Sequence, residues 1–523
     1  MSLANSNGAC KSSSVVFSAI PTPEQLSTRL TEFGSELRHM ISYAVKEGES
    51  FDSVERKVWE KLLAAGFQAM ELFVKLQGNG DRGPLLEHDQ QKPLKRSCKP
   101  AKTRLRSIFG QHMFDEFTYS SGKRRKIDLR PISARMQLPE HEWSYLLQEF
   151  SQMFCVDQAF KQSAENLDRV LGEKFSVDTL EQTNQRMGVQ ADAFLDQLPV
   201  PAASDESELL VASADCKGVP LIKDDVAKVA AFESAKKNPG NRRMATVTSA
   251  YTVDAYVRTP EQIVAALFRD ERNPSAEDKK RPKPKHKHTM AHFPTTYEDA
   301  DDSVQVSGIH EGMAWLATQV SSRHKVNQPL ILLMDGQECL WNVAAMHFQD
   351  NEQLVEILDI IHVSTYVWEA SSLFHGDAEH RATFTRDRLL KILQGDVEGV
   401  IRGLRRMGSL KKLQGNKRKD LQRICGYFEK HSSRMKYATY LKAGYPIASG
   451  VIEGACGHLV KDRMERSGMR WTLEAARSML NVRAVFQSDY WDQFQLERIA
   501  NANKTTHPNR NLISNYNPLT LAC

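Results

Sequence analysis

Three carboxylates stand where this chain could do chemistry. Asp215 closes the apolar run LLVASAD (209–215), Asp335 closes PLILLMD (329–335), and Glu453 lies among small residues in SGVIEGACG (449–457). The first two mark an apolar-to-polar transition, where a strand leaves a core and its last side chain reaches an open edge. Carboxylate oxygens are the ligands Mg²⁺ prefers, and acids in the order strand-Asp, strand-Asp, helix-Glu can hold two divalent ions about 3.5–4 Å apart. Such a pair serves in-line phosphoryl transfer, one ion at the attacking oxygen and one at the leaving oxygen. Each acid alone has a plainer reading. Asp near Gly is a common turn signal, which covers Asp335-Gly336 and Asp215 with Gly218. A Glu near a helix start is favoured by the macrodipole. Jointly, and with the basic clusters described next, the catalytic reading is the stronger one.

LDIIHV adds Asp359 and His362, three residues apart at a strand-to-helix junction, where both could face the same edge as Asp335. A core histidine bonded to a neighbouring carbonyl is the plainer account of His362, so it is not assigned as a metal ligand. His286, His288 and His292 fall in a Lys/Pro-rich stretch without carboxylate or Cys partners at ligand spacing, and read as a solvated loop.

The net charge is only +5, but its distribution is uneven. Twelve Lys/Arg lie between Lys92 and Arg130, nine between Arg402 and Arg423, and a third run, KKRPKPKHKH, covers Lys279 to His288. One such run is ordinarily a solvated face; three in a nearly neutral chain point to a phosphate backbone as partner. Eight scattered cysteines with no CxxC pair argue against a zinc ribbon or a disulfide framework and fit a reducing cytoplasm. No apolar run reaches membrane-span length, and the Ser-rich start reads as a frayed tail rather than a secretory signal.

The elements that must position the acids follow from periodicity. Residues 23–77 read as helices, 78–101 as a Gly/Pro/charge-rich linker, and 103–120 as a hairpin around Gly110. Residues 160–187 give two helices broken at 172–175, the layout of a helix-turn-helix or of an ordinary helical pair. Strands are expected at 209–215, 218–223 and 243–253 as an antiparallel meander, followed by a helix at 260–270 and a mobile loop over 271–300. A helix (309–322), a strand (329–335), a helix from Glu338, a strand (355–360) and a helix (362–374) come next. Residues 377–443 are helical, and further helices start near Ser449 and Thr472. This is the order of an RNase H-like α/β core carrying an all-α insertion, preceded by a mainly helical N-terminal DNA-binding region. The expected divisions are 1–78, a basic region 79–200, a core 205–375, an insertion 376–445, core helices 446–490 and a tail 491–523.

SADCKGVPL (213–221), LDIIHVSTYVWEAS (358–371) and YLKAGYPIASGVIEGACGHLVKDRMERSGMRW (440–471) resemble the ISKra group of bacterial insertion-sequence transposases. More widely the chain is similar to DDE transposases of the Mutator and hAT type, over about residues 205–490. The resemblance implies a DNA transposase that cuts at the ends of its own element and joins them to target DNA, with two Mg²⁺ for which Mn²⁺ can substitute. It implies Asp215, Asp335 and Glu453 as the catalytic, metal-binding triad, with an alternative alignment that makes Asp359 the second acid. Asp359, His362 and Trp341 would be supporting or DNA-positioning residues. Arg402, Arg405, Arg406, Lys411, Lys412, Lys461, Arg463 and Arg470 would contact DNA. Gly454, Ala455 and Gly457 would let the Glu453 helix lie close against the sheet. The partners implied are terminal inverted repeats, target DNA and further copies of the chain, in the cytoplasm or on the nucleoid. Two positions depart from the family pattern: Cys216 where Gly is usual and Gly457 where Arg is usual. A decayed or domesticated transposase that binds DNA without cutting it is the rival expectation.

Overall fold

The computed structural model describes residues 21–88, 92–122, 125–229, 240–270, 281–299, 302–466 and 468–521. The Ser-rich start, Lys123, Arg124, Lys279 and Lys280 lie outside the described residues. The chain is mixed α/β and divides into two compact units. The first comprises the described parts of Met1–Phe150, Leu167–Lys174 and Ile499–Cys523, and the second comprises Ser151–Asn166 and Phe175–Arg498.

In the first unit, helices Pro23–Glu47 and Phe51–Leu76 are opened by the side chains of Thr22 and Ser50, which accept hydrogen bonds from Gln25 N and Ser53 N. The expected hairpin pairs Ala101–Ser107 with Gly110–Glu116. Its last carboxylate, Glu116, is fully buried and fully engaged: Thr103 Oγ1, Ile132 N, Ser133 N and Ser133 Oγ all donate to it. The segment expected as a tail is helical (Trp491–Thr506) and then joins this unit, where Ile513 packs with Leu94, Tyr119, Leu129 and Ala134.

The second unit is built on five strands: β1 (Leu209–Pro220), β2 (Arg242–Val253), β3 (Lys285–His292), β4 (Leu330–Met334) and β5 (Leu354–Leu358). Their spatial order is β5-β4-β1-β2-β3. β1, β2 and β3 form an antiparallel meander, while β4 runs parallel to β1 and β5 parallel to β4. Every residue of β4 is buried, as expected for a central strand covered on both faces. Helix α1 (Gly308–Arg323) precedes β4, α2 (Glu338–Phe348) links β4 to β5, and α3 (Ile360–Phe374) follows β5.

Two expectations are corrected. The runs 209–215 and 218–223 are not two strands, because the ladder with β2 continues unbroken through Gly218, opposite Met244, to Pro220. The third strand lies instead within the segment expected as a loop. Its charged residues fall in its first half, and its second half is buried against β2. His288 and His292 are therefore interior groups. His288 bonds Gln319 Oε1 at 2.7 Å and Tyr490 Oη at 2.9 Å, and His292 bonds Thr248 Oγ1 at 3.1 Å. Burial lowers their pKa values to about 4 and about 3, leaving both rings neutral at neutral pH.

The helical insertion is present as α4 (Ala378–Leu393), α5 (Val397–Leu410) and α6 (Gly415–Lys430), but it has no separate core. Val211, Ile331 and Ile357 of the sheet, Val363 and Phe374 of α3, and Ile424 and Phe428 of α6 belong to one apolar cluster. After the insertion come α7 (Gly450–Ala455) and α8 (Leu473–Gln487). The pair expected as a helix-turn-helix forms, with Gly172 at φ +71°, but its second helix, Val177–Asp196, buries Leu180, Asn184, Met187 and Ala191. At Gly188 an added Cβ would lie 2.4 Å from Ser478 Cα of α8, so that helix is a packing element of the core unit. Among the described residues no helix is long and apolar enough to cross a membrane.

Candidate active site

Asp335 is the first residue past β4 and turns the chain into α2. Gln337 N donates to its Oδ1 at 2.9 Å, and Trp341 Nε1 donates to its main-chain O at 2.6 Å. Trp341 is itself 2% exposed and carries the Arg434 guanidinium 4.0 Å above its ring, so the turn is held from one side by a locked side chain. Tyr427 of α6 closes the other side: a Cβ on Gly336 would lie 2.2 Å from its ring. Close approach, as well as turn geometry, therefore explains the Asp-Gly pair. Tyr427 stacks on Tyr366 with centroids 3.8 Å apart, and its buried Oη has no hydrogen-bond partner.

Asp215 lies on β1 opposite Val247. Its Oδ1 accepts from Cys216 N at 2.6 Å and its Oδ2 from the Cys456 thiol at 3.4 Å. Glu453 projects from α7. Immediately beyond it the helix widens to a π turn, Cys456–Lys461, before a last α turn, Asp462–Met464. That turn buries Cys456 against Asp215.

Asp359 ends β5 and caps α3, and it is fully buried. Ile361 N donates to its Oδ1 at 2.9 Å, Ser449 N to Oδ1 at 3.3 Å, and Ser449 Oγ to Oδ2 at 2.5 Å. Since Ser449 begins α7, this carboxylate ties the end of β5 to the helix that carries Glu453. One ligand atom each from Asp359, His362 and Glu453 lie within 4.8 Å of one another, with His362 Nε2 and Glu453 Oε1 3.9 Å apart.

The electrostatics link all five groups. Burial raises the pKa of Asp335, and the Asp215 charge adds to it while His362 opposes. Burial raises Glu453, reinforced by Asp359 and Asp215 and again opposed by His362. Burial also raises Asp359, against the hydrogen bonds from Ser449 and Ile361. The like charges of Asp215, Asp335, Asp359 and Glu453 act on one another here, and a divalent cation would oppose that repulsion.

No protein-family model matches this chain, and no curated protein matches it.

The remaining residues singled out from the sequence fall into two groups. Arg402, Arg405, Arg406, Lys411 and Lys412 are exposed on α5 and the turn after it, and Lys461 and Arg470 are exposed beyond α7. Arg405 pairs with Glu429 at 2.6 Å, Arg402 with Glu398 at 3.5 Å, and Lys411 donates to Phe374 O. Arg463 is corrected. It is fully buried, donates to Cys155 O at 2.8 Å and stacks on Phe160 and Trp471, so its guanidinium holds the core and does not reach a surface ligand. The close-approach role of Gly454 and Gly457 is corrected too. An added Cβ at either would meet nothing within 4 Å, and the face of α7 turned inward is Ile452 with Ala455.

Sequence reasoning missed Ser449, Tyr427 and Cys456. Ser449 carried a signal, a hydroxyl residue at a helix start. Tyr427 carried none, because its reach over Gly336 is set by tertiary packing.

Proposed function

We propose that the chain is a DNA transposase of an insertion sequence that cuts and joins strands by metal-dependent phosphoryl transfer, with an RNase H-like core. The observation that carries this reading is a cluster of ligand atoms from Asp359, His362 and Glu453 within 4.8 Å of one another, with the Asp215 charge acting on both Glu453 and Asp335. The strand order β3-β2-β1-β4-β5, with an antiparallel meander and two parallel additions, supports the same core. The donor set, carboxylate oxygens plus one imidazole, fits Mg²⁺ or Mn²⁺. A bound divalent pair would supply charge stabilisation at the phosphoryl oxygens and a more acidic attacking water.

What the chain's own residues do follows from their contacts. Trp341 and Gln337 fix the Asp335 turn, so its carboxylate faces the site without rearrangement. Asp359 holds Ser449 and thereby α7, which sets the position of Glu453. The exposed cations of α5 and those beyond α7 would bind phosphates, and pairing two element ends calls for more than one copy of the chain. A second reading, DNA binding without cleavage, is favoured by one observation: both oxygens of Asp215 are already engaged, one by a main-chain N–H and one by a thiol.

The test is cleavage of labelled DNA carrying the ends that flank the coding region. We expect nicking with Mg²⁺ or Mn²⁺, none with chelator, and none from Asp335→Asn or Glu453→Gln. Metal-independent cleavage, or activity that survives both substitutions, would overturn the transposase reading. Binding without any cleavage would select the second.

A further inference from the structure

Gly450 and Gly454 stand four residues apart on α7, which places them along one face of the helix that carries Glu453, and Gly457 follows in the π turn. A Cβ at any of the three would meet nothing within 4 Å. Glycine within a helix is unfavourable relative to Ala by roughly 0.5–1 kcal/mol, so Gly454, which fills no close contact within the protein, asks for another explanation. Gly450 and Gly454 line a groove of about 570 Å³ whose opposite wall is the start of β3.

Three further features of that groove point to an anionic ligand. Lys283 and Lys287 line it, and neither forms an ion pair among the described residues. His286 and His458 add to the rim, against one lining carboxylate, Asp489; the His458 ring is already bonded to Asp462 at 2.9 Å. Ser488 lines the groove at 7% exposure, and its Oγ has no hydrogen-bond partner. A buried hydroxyl left unsatisfied in a groove wall is a group that an incoming acceptor can satisfy. A neighbouring hollow shares His458 and Gln487 and carries both signs of charge, Lys461, Arg466 and Arg483 against Asp157, Asp462 and Glu465, so it does not extend the basic surface.

We propose that this groove seats the sugar–phosphate backbone of a nucleic-acid strand and leads it to the acids. The missing side chains let the backbone lie directly on α7, Lys283 and Lys287 neutralise phosphates, and Ser488 Oγ donates to the strand. Gly454 is one residue from Glu453, about 100° around the helix, so a strand on the glycine face passes beside the site. This deepens the proposed function and rests on it for the direction of the path, but binding itself can be read without cleavage.

The experiment measures anisotropy of a labelled DNA oligonucleotide in chelator, across a salt series, with thermal melts of each protein. Gly454→Leu fills the groove while its Cβ meets no protein atom, so we expect an unchanged or higher melting temperature and at least about tenfold weaker binding. Gly454→Ala should melt higher with little loss of binding. Lys283→Glu with Lys287→Glu, on the rim, should weaken binding and lower the salt slope by about two. Wild-type affinity and salt slope in the lysine variant, or no oligonucleotide binding by the wild type, would overturn the proposal. If the protein cuts DNA while the groove variants bind normally, the groove fails and the proposed function stands. If it never cuts but these variants lose binding, the reverse holds.

Discussion

Asp335 and Asp359 come from neighbouring parallel strands, each follows an apolar run, and each opens a helix. Their environments are opposite. Asp335 takes one N–H on its carboxylate, from the turn it begins, and is raised further by Asp215. Asp359 is fully buried and takes three donors, two of them from Ser449. Position in a fold does not by itself distinguish these two acids; the count of donors already bound does. By that criterion Asp335 is the better candidate for the second acid of the proposed triad, while Asp359, whose ligand atom lies within 4.8 Å of those of His362 and Glu453, also holds the helix that carries Glu453. Glu116 in the first unit shows the structural extreme, a buried carboxylate with every donor supplied and no like charge among its partners.

The widest separation between the two should appear in activity. Asp335→Asn is expected to lower metal-dependent cleavage on the order of 10³-fold with the fold retained; near-normal rates would erase the distinction. Asp359→Ala is expected to lose about 2 kcal/mol of unfolding free energy, through the lost helix cap and the freed Ser449, as read by chemical denaturation. Mn²⁺ should raise the wild-type melting temperature by a few degrees by mass action and should not do so in Asp335→Asn with Glu453→Gln. An equal rise in both would move the metal elsewhere.

The pH dependence has a defined sign that the two acids share. Asp335, Asp359 and Glu453 all have raised pKa values, so between the ordinary carboxylate range and those raised values the folded chain binds more protons than the unfolded one. Without metal, stability therefore falls as pH rises through that window. Asp335→Asn should flatten the fall and melt slightly higher than wild type at neutral pH. The smallest effect expected is for Trp341→Phe, which removes one hydrogen bond to Asp335 O and costs about 1 kcal/mol.

Asp335 was legible in the chain because PLILLMD is apolar until its last residue and the strand ends there, whereas LLVASAD placed Asp215 at a strand end although β1 runs on through it to Pro220. β3 was not, since KPKHKHTMAH carries its charges at the start and buries His and Thr where Val or Ile would signal a strand. The fate of Asp359 was hidden because its partner is ninety residues away in sequence. Arg463 was misplaced because it stands among other basic residues in the sequence and nothing local marks it as the one that turns inward onto Cys155, Phe160 and Trp471, and the return of residues from Ile499 to the first unit left no mark in composition.

That π turn has a consequence for how the region can change over generations. A wider turn accommodates about one residue more than an α turn, so everything after Lys461 is rotated relative to everything before Cys456. Removing a single residue between them would restore the ordinary pitch, swing Arg463 away from Cys155, Phe160 and Trp471, and release Cys456 from Asp215. The segment is consequently expected to accept many substitutions on its open face while keeping its length fixed. Here a frameshift-free deletion of one codon would do more harm than most missense changes.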